Sequence, residues 1–231
     1  MVTEVKATDT TAYLTYFNQM LELQESMNIH VHPQWRQQSF LWYRAIWTEC
    51  AELMDHLSWK WWKKQEPHWA QVHLELIDIW HFGLSHLLQT IEDHSALSQH
   101  LHERYEQVHN MGFQPIPLEQ LRESLESFTQ TCLTTQGFPL DLFYRLIQQA
   151  NLSLTDLYRH YVGKNVLNRF RQDHGYKNGS YLKIWQGRED NEHLAEILVT
   201  IDLQHTQVTE QIYQQLADRY SKTPEYIPEL S

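Results

Sequence analysis

Cysteine is scarce in this chain. The two that occur, Cys50 and Cys132, lie far apart and form no Cys-x-x-Cys pair. A disulfide framework and a zinc ribbon are therefore not on offer, and each thiol reads as a small buried hydrophobe. Glycine and proline number only seven each in 231 residues. A many-turned β-sandwich, or a Rossmann sheet with its Gly-rich loop, would need more. Basic residues are outnumbered 18 to 29, which leaves a net charge of −11. That argues against a general binder of nucleic-acid polymers. No apolar run reaches the roughly 18 residues a membrane span needs. The opening residues MVTEVKATDTT lack a basic region followed by an apolar run, so no secretory signal is expected and the cytoplasm is the expected location.

Aromatic residues, by contrast, are abundant. Nine Trp and twelve Tyr contribute to 13% aromatics within 42% hydrophobic residues, and disordered chains are poor in both. The length suits a single domain over residues 1–231 with a sizeable core. Helical spacing of Tyr13, Tyr16, Phe17, Met20, Leu21 and Leu23 predicts a helix over Thr11–Asn28. Gln38 to about Lys64 contains neither Gly nor Pro and predicts a long helix broken by Pro67. A second runs from Trp69 to Ile91, and the short break implies an antiparallel hairpin. Glu92–Pro117 is polar and His-rich and predicts a weaker helix and a loop. Helices follow at Leu118–Leu133 and Leu140–Ala150, then one capped by Ser153 that reaches Asp173. Gly175 and Gly179 bound a turn-rich stretch. Helices at Asp190–Ile201 and Thr206–Tyr220 precede a loose tail, 222–231, marked by Pro224 and Pro228. The expected fold is all-α, a bundle of long antiparallel helices.

Glu49 and Glu52 lie three residues apart on the first long helix, and Glu75 and Asp78 lie three apart on the second. Each pair shares a face, so an antiparallel hairpin can bring four carboxylates together. Left alone they would repel and raise their own pKa values. An E-x-x-E usually marks a solvated face. Here, however, Glu49 falls inside the stripe of Ile46, Cys50, Leu53 and Leu57, Asp78 falls beside Leu74, Ile77 and His81, and Glu75 is in line with Phe82. Unpaired charge in an apolar face is costly. A hard divalent cation such as Mg²⁺, which prefers oxygen ligands, resolves the conflict.

Between Arg159 and Arg188 the basic residues are Arg159, Lys164, Arg169, Arg171, Lys177, Lys183 and Arg188, against Asp173 alone. Lys164, Asn168 and Arg171 share a helix face, and Tyr176, Lys183 and Asn191 follow. Such donors suit a phosphate chain. The plain alternative is that they pair with the acidic bulk of the protein or face solvent.

Several blocks carry a family resemblance. LELQESMN, TECAELMDHLSWKWWKK and HLELIDIWHF precede the long YVGKNVLNRFRQDHGYKNGSYLKIWQGREDN. Together they resemble the dimeric all-α dUTP diphosphatases within the MazG-like nucleoside-triphosphate pyrophosphohydrolases. The paired acids alone indicate only the wider group; the KWWK run and the long C-terminal block are specific to the dUTP branch. Residues 93–137 carry no family motif and read as a variable insertion. The resemblance implies Mg²⁺, as two or more ions, held by Glu49, Glu52, Glu75 and Asp78. It implies that Glu49 also orients and deprotonates the attacking water. It implies phosphate contacts from Asn168, Arg171, Tyr176, Lys183 and Asn191, with Lys164 assisting. Gln24, Asn28, Trp62, His81 and Phe82 match the nucleoside pocket. The implied substrate is dUTP, with dUDP a further candidate. The implied assembly is a homodimer with no nucleic-acid polymer or membrane as partner.

Three rival readings stand beside it. An oxidative di-iron bundle needs two Glu-x-x-His motifs, and Asp78–His81 supplies one imperfect copy. A related pyrophosphohydrolase with another or broader nucleotide substrate fits the acids but not the KWWK and C-terminal blocks. A helical interaction module without activity leaves the acids in apolar faces unexplained.

Overall fold

The computed structural model describes residues 7–202 and 207–223, with side chains from residue 12 onward. The last eight residues of the expected tail, with Pro224 and Pro228, lie outside the described residues. The chain forms two compact units, Met1–Tyr158 and Arg159–Ser231. The helices are α1 Ala7–Val31, α2 Trp42–His56, α3 Trp69–Thr90, α4 His94–Asn110, α5 Leu118–Thr135, α6 Leu140–Gln149, α7 Leu154–Asp173, α8 Asp190–Thr200 and α9 Val208–Tyr220. Helix α7 begins in the first unit and continues into the second. The fold is all-α; among the described residues the only strands are β1 Ile184–Trp185 and β2 Arg188–Glu189, a two-residue antiparallel pair that helical periodicity does not anticipate. No described helix is long and apolar enough to cross a membrane.

Within the first unit, α2 and α3 form the most extensive helix–helix contact among the described elements, and their orientation is antiparallel. Trp42, at the start of α2, stacks on Phe82 and donates to Gln89 Oε1, both late in α3. At the other end His68 N donates to His56 O at 2.9 Å. The core around α3 is aromatic. Trp80 is fully buried, stacks on Phe143 at 5.1 Å and donates to Met20 Sδ at 3.3 Å. A buried ring of this size removes a large apolar area from water, and the indole N–H needs the acceptor it finds.

Local signals set several helix ends. Asp93 accepts from Ser95 N and Ala96 N, capping α4. Ser153 Oγ accepts from Asp156 N at 3.1 Å, capping α7 as its sequence predicts. Glu189 and Glu192 form a capping box at α8. Each satisfies backbone N–H groups that a helix start leaves open.

The second helix is shorter than its periodicity predicts. It stops at His56 rather than continuing towards Lys64, and Ser58 adopts a left-handed φ of 51°. The cause lies on α5. The Arg122 guanidinium donates to Leu57 O at 3.1 and 2.7 Å and to Ser58 O at 3.0 Å. These are carbonyls that a helix end leaves open. Asp55 then gathers the next residues, accepting from Trp59 Nε1 at 3.0 Å and Lys60 Nζ at 2.7 Å. The KWWK run is consequently a turn segment, not helix.

In the second unit, Phe170 on α7 meets Tyr181, Trp185, Tyr213 and Tyr220 edge-on. These contacts tie the β-hairpin and α9 to α7. A Cβ on Gly163 would approach Leu198 Cδ1 to 2.7 Å, so the absence of a side chain there lets α7 and α8 cross closely.

Arg122→Met tests the account of the α2 terminus. It removes charged hydrogen bonds to two carbonyls, and urea denaturation is expected to show a loss of about 1.5–3 kcal/mol. An unchanged midpoint would mean that the turn is held by other contacts.

Candidate active site

Helices α2 and α3 bring the acids together. Glu49, Glu52 and Glu75 each offer a carboxylate oxygen, and these atoms lie within 4.8 Å of one another. Asp78 is near enough that its charge acts on Glu49. Glu75 is buried, Glu49 and Asp78 are half-buried, and Glu52 is exposed. The Glu49 carboxyl is pushed from 4.5 up to about 8. Burial is the largest cause, followed by the charges of Asp78, Glu75 and Glu52 and a hydrogen bond with Glu75. An unneutralised cluster behaves this way because the charged form loses hydration and meets like charge. The donors are all hard oxygens, which fits a divalent cation of the Mg²⁺ type.

His56 joins this cluster without having been anticipated. Its Nε2 lies 3.5 Å from Glu75 Oε1. Burial, then the nearby His68, pushes its pKa down. The available signal was its position four residues after Glu52 on the same helix.

Further along α3, Asp78, His81 and Ser85 recur on one face. At about 1.5 Å per residue, Ser85 lies about 15 Å along the axis from Glu75. His81 and Ser85 belong to a second cluster. Gln24 and Asn28, four residues apart on α1, are buried with them. Gln24 Nε2 donates to Asn28 Oδ1 at 3.1 Å and to Ser85 Oγ at 2.9 Å. Asn28 Nδ2 donates to Ser85 Oγ at 3.1 Å, and His81 Nδ1 lies 2.8 Å from Gln24 Oε1. Three of the five residues expected in the nucleoside pocket thus form one network. Ser85 completes it, although nothing in its own sequence context singles it out.

The two expected aromatics are placed differently. Phe82 is half-buried and stacks on Trp42 at 6.4 Å. Trp62 is 57% exposed and packs edge-on against Trp59 and Trp61. It lies on the turn that follows α2.

In the second unit, Arg171 Nε and Nη2 donate to the two oxygens of Asp190 at 2.8 and 2.9 Å, and its Nη1 reaches Asn168 Oδ1 at 3.3 Å. Tyr181 also donates to Asp190, at 2.8 Å. Asp190 is completely buried. Burial lowers the Arg171 pKa, but the hydrogen bonds to Asp190 and its charge outweigh this and raise it. Lys164 is buried, whereas Tyr176 and Lys183 are exposed. Asn191 Oδ1 is buried and finds no hydrogen-bond partner among the described residues. Much of the basic segment is locally paired: Arg169 approaches Glu210 at 3.9 Å, and Arg188 binds Glu196. The partners come from α8 and α9, beyond the segment where acids looked scarce.

A family model described as dUTPase (dUTPase_2) matches residues 16–176, well over half of the chain. The chain belongs to this family. Hydrolysis of dUTP to dUMP and pyrophosphate is the family's general function, and membership makes this chain an enzyme of that type. The match includes the four acids, Gln24, Asn28, Trp62, His81 and Phe82, and also Lys164, Asn168, Arg171 and Tyr176; Lys183 and Asn191 lie beyond it. No curated protein matches the chain.

Two measurements check this chemistry. The folded Glu49 carboxyl titrates near 8 against 4.5 for an ordinary one. Its raised pKa contributes stability that is present below about 4.5 and lost as pH rises through about 8. Thermal melts of the metal-free chain are expected to show Tm falling across that window, with a flatter profile in Glu49→Gln. Asp190→Ala leaves the mostly buried Arg171 guanidinium without its counter-charge. Urea unfolding is expected to show a loss of about 3–5 kcal/mol.

Proposed function

Taking the chain as a member of the dUTPase family, we propose that it hydrolyses dUTP to dUMP and pyrophosphate in a Mg²⁺-dependent reaction, and limits uracil in DNA. The observation that carries this reading is the convergence of Glu49, Glu52 and Glu75 from two helices within 4.8 Å. With Asp78 they would hold two or more Mg²⁺ ions. Bound there, the ions supply neutralisation of phosphate charge and acidification of water.

Glu49 orients the attacking water and takes its proton. The oxygen attacks the β-phosphorus, the bridge to the α-phosphorus breaks, and the bridging oxygen leaves with dUMP. Glu52, Glu75 and Asp78 keep the cluster's charge in place, and His56 steadies Glu75. Gln24, Asn28, His81, Phe82 and Trp62 receive the nucleoside, where a polar network can mirror the uracil edge and aromatic faces can stack on the base. Lys164, Asn168, Arg171, Tyr176, Lys183 and Asn191 grip the phosphates and offset charge on the leaving oxygens. In this reading both units belong to one catalytic domain, dUDP is a second substrate, and the chain works as a cytoplasmic homodimer. Exposed Trp47 and Leu133 line a groove of about 650 Å³ with Met54 and suit cover by a second copy.

The test is pyrophosphate release from a panel of nucleoside triphosphates, with Mg²⁺ and with chelator. The expected result is a strong preference for dUTP over dTTP, dCTP and UTP, lost with chelator. Glu49→Gln is expected to lower kcat by about 10²–10⁴-fold. In ¹⁸O-labelled water the label should appear in pyrophosphate, not in dUMP. Equal activity across the panel would move the chain to a broader nucleotide substrate. Label in dUMP would overturn attack at the β-phosphorus.

A further inference from the structure

Helix α5 lies in the stretch 93–137 that carries no family motif, yet one of its side chains reaches the turn that carries Trp62. All three guanidinium nitrogens of Arg122 are engaged. Nε and Nη2 donate to Leu57 O at 3.1 and 2.7 Å, Nη2 also donates to Ser58 O at 3.0 Å, and Nη1 donates to Glu119 on the same helix. The side chain is only 18% exposed. Its planar fork can hold two successive carbonyls in one geometry, which a point charge cannot. The positive charge also sits at the carbonyl end of α2, where the helix dipole favours it.

The two carbonyls are those of the peptide units on either side of Ser58. That residue has a φ of 51°, a left-handed conformation that is uncommon for anything but glycine. Such a backbone persists where its surroundings hold it. Arg122 pins both flanking peptides and so sets the direction in which the chain leaves α2. The next residue, Trp59, is tied back to α2 by its Nε1 donation to Asp55 at 3.0 Å. Trp62 packs edge-on against Trp59, with ring centroids 5.2 Å apart, and against Trp61 at 5.4 Å. The ring contacts of Trp62 among the described residues thus come from its own turn, so its placement follows from how that turn is held. All three indoles are exposed, and an exposed aromatic ring is a stacking platform for any base.

We propose that Arg122 is a positioning residue for nucleoside binding: from α5 it fixes the turn that presents Trp62 to the base. The binding half rests on the place of Trp62 in the nucleoside pocket, as read above.

The experiment has two arms on the full chain. In the first, ¹⁹F spectra are recorded after incorporation of 5-fluorotryptophan, and resonances are assigned by their loss in Trp59→Phe, Trp62→Phe and Trp80→Phe. In Arg122→Met the Trp59 and Trp62 resonances are expected to move or broaden, while that of Trp80, in the core, stays in place. Unchanged Trp59 and Trp62 resonances, or equal changes at Trp80, overturn the proposal. In the second arm, kcat and KM are measured for dUTP. Arg122→Met is expected to raise KM by about fivefold with kcat little changed, and Trp62→Ala to raise it by about tenfold. The double variant is expected to match Trp62→Ala alone, because the guanidinium acts through that ring. A KM unchanged in Arg122→Met, a loss confined to kcat, or rises that multiply in the double variant overturn the role in nucleoside binding. Should Arg122→Met fail to fold, Arg122→Lys, which keeps the charge but not the fork, takes its place with the same expectations. An unchanged KM in Trp62→Ala, or a wild type that does not hydrolyse dUTP, would sink the pocket reading and the binding role built on it. The hold on the turn is decided by the ¹⁹F arm alone.

Discussion

Carboxylates brought together in a half-apolar helix hairpin repel one another, and the rest of the site is organised around that constraint. Glu49, Glu52 and Glu75 occupy one small volume, with Asp78 near enough to add its charge. The Glu49 pKa is raised accordingly, by burial first and then by the charges of Asp78, Glu75 and Glu52. A bound cation would relieve the same repulsion, so a proton and a metal would compete for the cluster. Packing of α2 against α3 enforces the approach. Trp80 packs α3 into the aromatic core, and Arg122 binds the carbonyl just past the end of α2, after its acids.

The polar networks elsewhere follow a related rule, that buried donors and acceptors must all be matched. Ser85 hydrogen-bonds two buried amides. Asp190 matches Arg171 and Tyr181 and fixes a guanidinium in the second unit. In both cases the organising residue is small or acidic, is fully buried, and differs from the residue expected to meet substrate.

Helix positions were largely legible. Period, caps and the scarcity of Gly and Pro located α3 and α5–α9 within a few residues, because amphipathic spacing and capping are local properties. The end of α2 was not legible, since Arg122 lies 65 residues from Leu57 in sequence. The pairing of the basic segment was legible only as the plain alternative, because its partners Asp190, Glu196 and Glu210 stand beyond the window that showed the imbalance. The acid quartet was legible because both pairs sit at i, i+3 inside apolar stripes, where charge demands an explanation. Ser85 and His56 carried no comparable signal: a serine or histidine on a helix is ordinary until its neighbours are known.

By itself the sequence determined the helical class, the pairing of acids on successive helices and the family blocks. Each of these is carried by residues close together in the chain, where spacing alone decides which side chains share a face. Only the tertiary structure decided that three carboxylates meet within 4.8 Å, that Trp62 stands exposed on a turn, and that Ser85 and Asp190 organise the buried amides and guanidinium. Those outcomes depend on partners distant in sequence, on burial and on the direction of individual hydrogen bonds. A local pattern contains none of these, because desolvation and donor–acceptor matching are set by what packs around a group.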